Sequence, residues 1–523
     1  MITSPAPRLW SALLALPLAV SACFIVRGVS VEDVSRTTDS VQVRTPVKAH
    51  LVDGSTVVYR DGVLVAGGRL TGSGMRYSLT LTDPTPTAEL PLDSVVALES
   101  FRTRTNAGAT LAISTLATVG VVGASVAVYC AIDPKCFGSC PTFYSDSAGT
   151  PVLEAEGFSY SIVPLFESRD VDRLRAQPGP DDTLRLEVRN EAPFETHYIN
   201  HLELLEALHR PGEFVAPDPQ GRPVAVTGST PPRFARDRAG RDVRSLLADA
   251  DGRVYATAPS VLAHVSLADL QDEIELRFQA PEQGDSLALV LRLRNSLLNT
   301  VLLYDVMLGD PGARSLDWQG RDLSRPGAAL ALDSWYSSRM GLRVDVWRDA
   351  GWELVDRVGD TGPVAWKDVA VPLPPAAGRE VRVRLRFPAD NWRIDRVALA
   401  SSIRRPELRV LQLAQVTDRS GGAEPDAYAS LRAADGRYLQ TSPGQAFVAA
   451  WDVGPTPEGA ERTFFLAAQG YYTEWIQRGW ITSARDTAAF RPGDAALLRA
   501  LQRWRQVQDT LERRFYATRV PVR

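Results

Sequence analysis

Apolar and polar residues alternate along most of this chain, and that alternation predicts strands. From Val41 the segment "VKAHLVDGSTVVYRDGVLVAGGRL" alternates, with turn signals at Asp53-Gly54 and Asp61-Gly62. Residues 41–104 therefore read as a small, highly curved sheet or barrel. Residues 136–270 are strand-rich, with a hairpin signal at Ser145 to Gly149 and two long strands joined at Glu191 to Pro193. Residues 272–400 alternate again in "EIELRFQAP", "SLALVLRLRNSLL", "MGLRVDVWRDAGWELVDRV", "WKDVAVPLPP", "EVRVRLRFP" and "NWRIDRVALA". Residues 401–490 form a further β-rich region, related to the middle of the chain by the repeat described below. The pattern changes only over residues 491–523, where Leu497, Leu498, Leu501, Trp504, Val507, Leu511 and Phe515 recur at helical spacing behind a start signal at Gly493-Asp494. The expected fold class is mainly β and multi-domain, closed by a C-terminal amphipathic helix.

Two details refine this reading. In "WRIDRVAL" a regular strand puts Trp392, Ile394 and Arg396 on one face and Val397 on the other. A bulge near Asp395 would resolve the awkward placement of Arg396. There is also an internal repeat: Asp242 to Pro259 (DVRSLLADADGRVYATAP) aligns without gaps to Asp426 to Pro443 (DAYASLRAADGRYLQTSP). Each copy reads as a short helix or turn, an Asp-Gly turn and a strand. The copies are expected to flank an inserted domain spanning 272–400. Asp251 and Asp435 read as turn residues, since no further spaced carboxylates make a cation site.

Two stretches are apolar without period. Leu9 to Ala19 follows Arg8 and is too short to span a bilayer, so it reads as the core of a signal peptide over residues 1–22. Val20-Ser21-Ala22-Cys23 then resembles the lipobox of bacterial lipoproteins. That resemblance implies lipidation at Cys23, a tether over 23–40, and a lipid-anchored place in the bacterial cell envelope, at the outer membrane or the periplasmic face of a membrane. The second stretch, Ala107 to Ile132, carries no charge and is long enough to cross a hydrocarbon core. A transmembrane helix, a buried helix and apolar strands all remain open for it. With Cys23 lipidated in an oxidising compartment, Cys130, Cys136 and Cys140 remain, and Cys136 with Cys140 could close a small disulfide loop.

Two further resemblances concern folded regions. The Cys140-Pro141-x-x-Tyr144 start, the glycine-turned hairpin and the strand pair after it resemble a group of uncharacterised envelope proteins of Gram-negative bacteria, over roughly residues 40 to 270. The order "WKDVAVPLP … VRVRLRF … NWRIDRVAL" is similar to the closing strands of galactose-binding-like jelly rolls. It implies a β-sandwich and, less directly, a sugar ligand.

Composition and chemistry add exclusions. A chain of 523 residues is too long for one core, and 45% hydrophobic with 23% charged residues is ordinary for globular domains. A net charge of −4 gives no case for nucleic acid. His197 and His201 lie four apart, but in a strand that spacing is about 13 Å, too far for one metal. They read as exposed or half-buried strand residues. No Gly-x-Ser-x-Gly elbow and no phosphate-binding glycine loop ending in Lys-Ser/Thr is present. Carboxylate pairs such as Glu154/Glu156 and Glu203/Glu206 are ordinary for this length. Aromatics are the better lead: Trp335, Tyr336, Trp347, Trp352, Trp366 and Trp392 crowd one segment. Trp335 and Tyr336, in a Ser/Asp-rich stretch read as a loop, are the expected exposed ligand-binding pair. A second aromatic group, Tyr471, Tyr472, Trp475 and Trp480, is as well suited to docking the C-terminal helix. The expected function is non-enzymatic binding or assembly, directed at a glycan or an envelope protein, with no cofactor and no metal. A structural part of an envelope complex and an envelope hydrolase are the alternatives.

Overall fold

The computed structural model describes residues 40–77, 84–100, 140–192, 194–281, 286–320, 326–376, 378–482, 493–517 and 522. The expected signal peptide, Cys23, the stretch Ala107 to Ile132, Cys130 and Cys136 lie outside the described residues. The fold is mainly β. Among the described residues no helix is long and apolar enough to cross a membrane.

The N-terminal unit is one sheet of short strands: β1 (Ser40–Val43), β2 (Val47–Leu51), β3 (Thr56–Tyr59), β4 (Val63–Ala66), β5 (Arg69–Tyr77), β6 (Thr85–Pro91) and β7 (Val95–Ser100). Their order is β1-β4-β5-β3-β2-β7, with β6 on β5. The Asp-Gly turns are real: Gly62 has φ 86°, and a Cβ there would sit 2.0 Å from the Val43 carbonyl oxygen.

Twenty-two strands follow: β8 (Thr142–Ser147), β9 (Thr150–Glu156), β10 (Ser168–Arg173), β11 (Thr183–Arg189), β12 (Glu195–His209), β13 (Phe214–Pro217), β14 (Pro223–Thr227), β15 (Phe234–Asp237), β16 (Gln271–Gln279), β17 (Leu287–Asn295), β18 (Leu342–Arg348), β19 (Gly351–Val358), β20 (Lys367–Leu373), β21 (Glu380–Pro388), β22 (Trp392–Ala400), β23 (Ser402–Arg404), β24 (Glu407–Leu411), β25 (Gln415–Thr417), β26 (Leu439–Thr441), β27 (Ala446–Asp452), β28 (Glu461–Glu474) and β29 (Ile476–Gln477). Most of them form two sandwiches, and β13, β14 and β23 make a separate three-stranded sheet. In the first, sheet β25-β27-β11-β8-β9 faces sheet β10-β28-β12-β24 across a core that includes Phe143, Leu186, Ile199, Trp451 and Phe464. In the second, sheet β15-β16-β21-β18-β19 faces β20-β17-β22 across Leu276, Leu291, Leu385, Trp392 and Ile394. Strand β29 adds to the edge of the N-terminal sheet through β7.

The two sandwiches repeat one plan. Strand for strand, β25-β27-β11-β8-β9 matches β15-β16-β21-β18-β19, and β10-β28-β12 matches β20-β17-β22. Local irregularities repeat as well. Strand β12 has a bulge at Asn200 and β22 one at Asp395. The Gly436 N–H donates to Asn200 Oδ1 at 3.3 Å, and the Gly252 N–H donates to Asp395 Oδ1 at 3.0 Å. Leu439 pairs with Ile199, and Tyr255 bridges Ile394. Yet the strand order along the chain differs. The first sandwich takes β8 to β12 from before the second and β25 to β28 from after it. The chain is thus a tandem duplication whose halves are exchanged: the first five strands of one repeat close on the last three of the other. The connectors meet where β14 pairs with β23.

This architecture corrects the expected boundaries. The first copy of the Asp-Gly-Arg repeat does not flank the second sandwich; Val243, Leu247 and Tyr255 lie in its core, and β15 is its edge strand. The second copy supplies Ala427, Leu431 and Leu439 to the first sandwich. The bulge expected near Asp395 is present, and it lets Ile394 and Val397 both reach the core.

A helical excursion between β17 and β18 was not expected. A turn at Leu298–Thr300 runs into a π-helix at Val301–Gly309, then helices Arg314–Gly320 and Pro326–Met340. These pack with the C-terminal helix Asp494–Ala517 and the N-terminal sheet into one core. Leu497, Leu501, Trp504, Leu511 and Phe515 of the C-terminal helix are buried there, with Leu498 and Val507 half-buried against it.

Candidate functional site

Trp335 and Tyr336 do not form the expected exposed pair. They lie on the helix Pro326–Met340, not in a loop. Tyr336 is buried and its hydroxyl donates to Asp360 Oδ2 at 2.5 Å, while Trp335 packs against the helical core and its Nε1 donates to Asp494 at 3.3 Å. Serines on the helix's outer side gave the stretch its loop-like composition. Trp392 is core. Tyr472 and Trp480 join the helical core, Trp475 stacks on His50 at 3.7 Å, and Tyr471 stacks on Tyr198.

The expected pairing of Cys140 with Cys136 is only half in view. Cys140 is a buried thiol, pushed well above its usual pKa by burial and then by nearby Glu156. His197, His201 and His209 all lie on β12, as a strand reading requires. His197 is fully buried against Glu195 rather than exposed, with Nε2 3.3 Å from Oε2. Among the described residues no group of His, Cys, Asp and Glu could hold a metal ion.

The feature that stands out is the outer face of β15-β16-β21-β18-β19. Side chains on alternate positions of each strand form rows across the sheet. One row reads Trp352, Trp347, Arg382, Arg277, Phe234. Trp347 and Trp352 meet edge to face with centroids 5.3 Å apart. The Arg382 guanidinium lies 4.7 Å from the Trp347 ring and 5.4 Å from the Trp352 ring, and Arg277 lies 4.5 Å from Phe234. Both tryptophans are only half-buried. The next row holds Asp345, Arg384 and Glu275. Asp345 is buried, and Arg343 Nε donates to its Oδ1 at 2.6 Å while Arg384 Nη2 donates to Oδ2 at 3.0 Å. Burial opposes the charge on Asp345, but the Arg343 and Arg384 hydrogen bonds win and hold its carboxyl below the usual value. The third row is Arg357, Arg343, Arg386, Glu273, each directly opposite the next.

The rows are about 7 Å apart, two residues of strand rise. Five arginines (Arg277, Arg343, Arg382, Arg384, Arg386) share Asp345, Glu275 and the more distant Glu273. The face is therefore cationic, with an aromatic end. Its counterpart on the first sandwich is not. Superposing the bulges at Phe143/Tyr144 and Val344/Asp345 sets Asp146 where Trp347 stands, Glu187 where Arg384 stands and Thr142 where Arg343 stands. Arg189 there is neutralised by Glu187 and Glu191. The same scaffold thus carries the Trp–Arg face on one sandwich only, so the scaffold itself does not require it.

Of the aromatics that crowd this segment, Trp347 and Trp352 share one half-exposed face, whereas Tyr336 is buried and Trp335 packs on the helical core. The signal that could have found the first pair is the match of Trp347 and Trp352 to the same face as Arg382, Arg384 and Arg386, readable from strand alternation once the hairpin at Asp349-Ala350 is placed.

No protein-family model matches the chain, and no curated protein is similar to it. Among solved structures, a GH31 alpha-xylosidase from Xanthomonas citri aligns at 10% identity and TM-score 0.15, over 83% of this chain and 38% of the xylosidase. A mutant VP2 protein of infectious bursal disease virus aligns at 10% identity and TM-score 0.11, over 73% of this chain and 91% of VP2. The chain thus covers well under two thirds of the xylosidase, and at these scores neither likeness bears on fold or function.

Proposed function

We propose that this chain is a lipid-anchored envelope protein that binds an anionic saccharide on the outer face of its second sandwich. The observation that carries the binding reading is the row Trp352, Trp347, Arg382 beside Arg384 and Arg386 on one solvent-facing sheet. Aromatic faces stack on sugar rings. Guanidinium groups at strand spacing, already fixed by Asp345 and Glu275, bind carboxylate, sulfate or phosphate at little entropic loss. The lipid anchor rests on Val20-Ser21-Ala22-Cys23 after its apolar run. The carboxylates of this face are tied to arginines, and binding is the function that arrangement supports best.

The test is a titration of the whole protein with acidic oligosaccharides, neutral oligosaccharides and single-stranded DNA at fixed salt. Acidic saccharides are expected to bind selectively. The double variant Trp347→Ala/Trp352→Ala is expected to weaken them by roughly five- to a hundredfold, since two stacking contacts are worth ~1–3 kcal/mol. Equal binding of neutral sugars would remove the role of the arginines. Tighter binding of DNA than of any saccharide would replace this reading with a nucleic-acid one.

A further inference from the structure

At the end of the face away from the tryptophans, the sheet runs into the end of the helix Pro326–Met340 and leaves a recess. It is lined by Gln271, Ser338, Arg339, Arg343, Arg357 and Arg386, and its volume is about 260 Å³. Four arginines converge on it from three strands and one helix. Arg357, Arg343 and Arg386 stand directly opposite one another on β19, β18 and β21. Like charges opposed across neighbouring strands destabilise a sheet. A row of three is retained at that penalty only where something neutralises it.

The groups already present do so in part. Asp345 lies beneath the recess, bonded to Arg343 and shared with Arg384 and Arg386. Arg339 Nε donates to Asp494 Oδ1 at 2.8 Å, at the start of the C-terminal helix. Glu273 ends the row beyond Arg386. Arg357 is exposed and lies on the edge strand β19, two strands from the β21 that carries Arg386 and three from the β16 that carries Glu273. Counting Arg384, five guanidinium groups face three carboxylates. The recess has the volume of several waters, enough for a tetrahedral oxyanion and its first shell. Donors that arrive from several directions suit a dianion with three terminal oxygens better than a flat carboxylate.

We propose that this recess is a subsite for a phosphate monoester, so that the saccharide bound along the sheet is a phosphorylated one. The inference rests on the saccharide reading of the same face. The rows of the tryptophans and of Arg343 are four residues of strand apart, about 13 Å, so one ligand can lie across both.

Three probes separate the subsite from the platform: inorganic phosphate for the recess, an unphosphorylated acidic oligosaccharide for the tryptophan row, and the phosphorylated form of a saccharide for both. Each is titrated calorimetrically into the whole protein, into Arg357→Gln, and into Trp347→Ala/Trp352→Ala. Arg357→Gln removes an exposed charge and is expected to leave folding intact. It should weaken inorganic phosphate about tenfold and leave the unphosphorylated saccharide unchanged. The tryptophan variant should do the reverse. The phosphorylated saccharide should exceed both other probes in affinity if the phosphate arrives on a sugar; binding no tighter than free phosphate would overturn that part. Inorganic phosphate that fails to bind, or that binds Arg357→Gln equally well, overturns the subsite while the saccharide reading stands on its own probe. Loss of the unphosphorylated saccharide alone overturns the platform instead.

Discussion

Lys367 is a residue whose surroundings make a measurable statement about pH. It begins β20 of the second sandwich and is buried, yet its ammonium reaches Asp170 and Asp172 on β10 of the first, the latter at 3.0 Å. One cation between two carboxylates leaves an unbalanced negative charge in a low-dielectric place. Burial pushes the Asp172 carboxyl up to about 8, against the pull of Lys367 and with the push of Asp170. The folded protein therefore holds a proton on Asp172 that the unfolded chain releases near the ordinary carboxyl value of 3.8. An acid raised in the folded state contributes stability that is lost as pH rises, here across the interval from about 4 to about 8. Lys367 is raised as well: burial lowers it, but the two aspartates outweigh that. It acts in the same direction at still higher pH. Urea denaturation at several pH values is expected to give stability falling with pH by up to about 1.4 kcal/mol per unit for this one proton. Asp172→Asn should flatten that slope. An unchanged slope in the variant would mean that the proton sits elsewhere.

At the scale of elements, what was legible followed from period and what was hidden followed from burial. Strands β16 and β21 of the second sandwich alternate because one face meets the core and the other meets water, so their sequence carries a period of two, whereas β17 and β22 are buried on both faces. The C-terminal helix shows its buried stripe for the same reason. The π-helix Val301–Gly309 has no such stripe, because nearly all of it is buried. An apolar run of that kind does not distinguish strand from helix. The helical placement of Trp335 and Tyr336 is hidden with it, and the Trp–Arg face is not legible because facing requires knowing which strands are neighbours. The Asp-Gly-Arg repeat was visible, but its partners were not: Asn200 and Asp395 are remote in sequence and meet Gly436 and Gly252 only through the fold. These bulge residues accept the turn N–H groups, and Asp395 also accepts from Arg292 Nε at 3.1 Å. Replacing Asp395 by Ala leaves that N–H and that guanidinium nitrogen without their acceptor and is expected to destabilise by roughly 1–3 kcal/mol. Asn200→Ala removes the acceptor of Gly436 and the 2.6 Å donor to Glu167 Oε1, but Glu167 keeps Tyr438 and Gln469 as donors, so the loss should be about 1 kcal/mol. Thermal melts of the two variants measure the difference; equal losses would show that Arg292 finds another acceptor.

Over the whole molecule, the exchange between repeats decides how the chain can be divided. A fragment of residues 272–400 omits β15 and also Tyr255, which is buried and whose hydroxyl donates to Asp272 Oδ2 at 2.7 Å. Such a fragment is not expected to unfold cooperatively, although its strands alone suggested a separate domain. The first sandwich is more dependent still, since β8 to β12 pair with strands that follow β22 in the chain. The helical excursion adds a third tie, packing residues from inside the second sandwich against the N-terminal sheet and the C-terminal helix. A cut between the repeats, at residues 321–325, divides every sheet of both sandwiches, and β13-β14-β23 as well, between the two pieces. Residues 40–320 and 326–517 expressed together are therefore expected to associate one to one and to melt as a single transition, because each sandwich needs both pieces to close its core. Neither piece alone should give cooperative unfolding as a monomer: each would expose the inner faces of two half-sandwiches, an apolar area no single domain leaves in water. Size-exclusion chromatography and calorimetry of the pieces, apart and mixed, measure this. A monomeric 326–517 that melts cooperatively on its own would contradict the exchanged pairing, since β18 to β22 would then have closed a core without β15, β16 and β17.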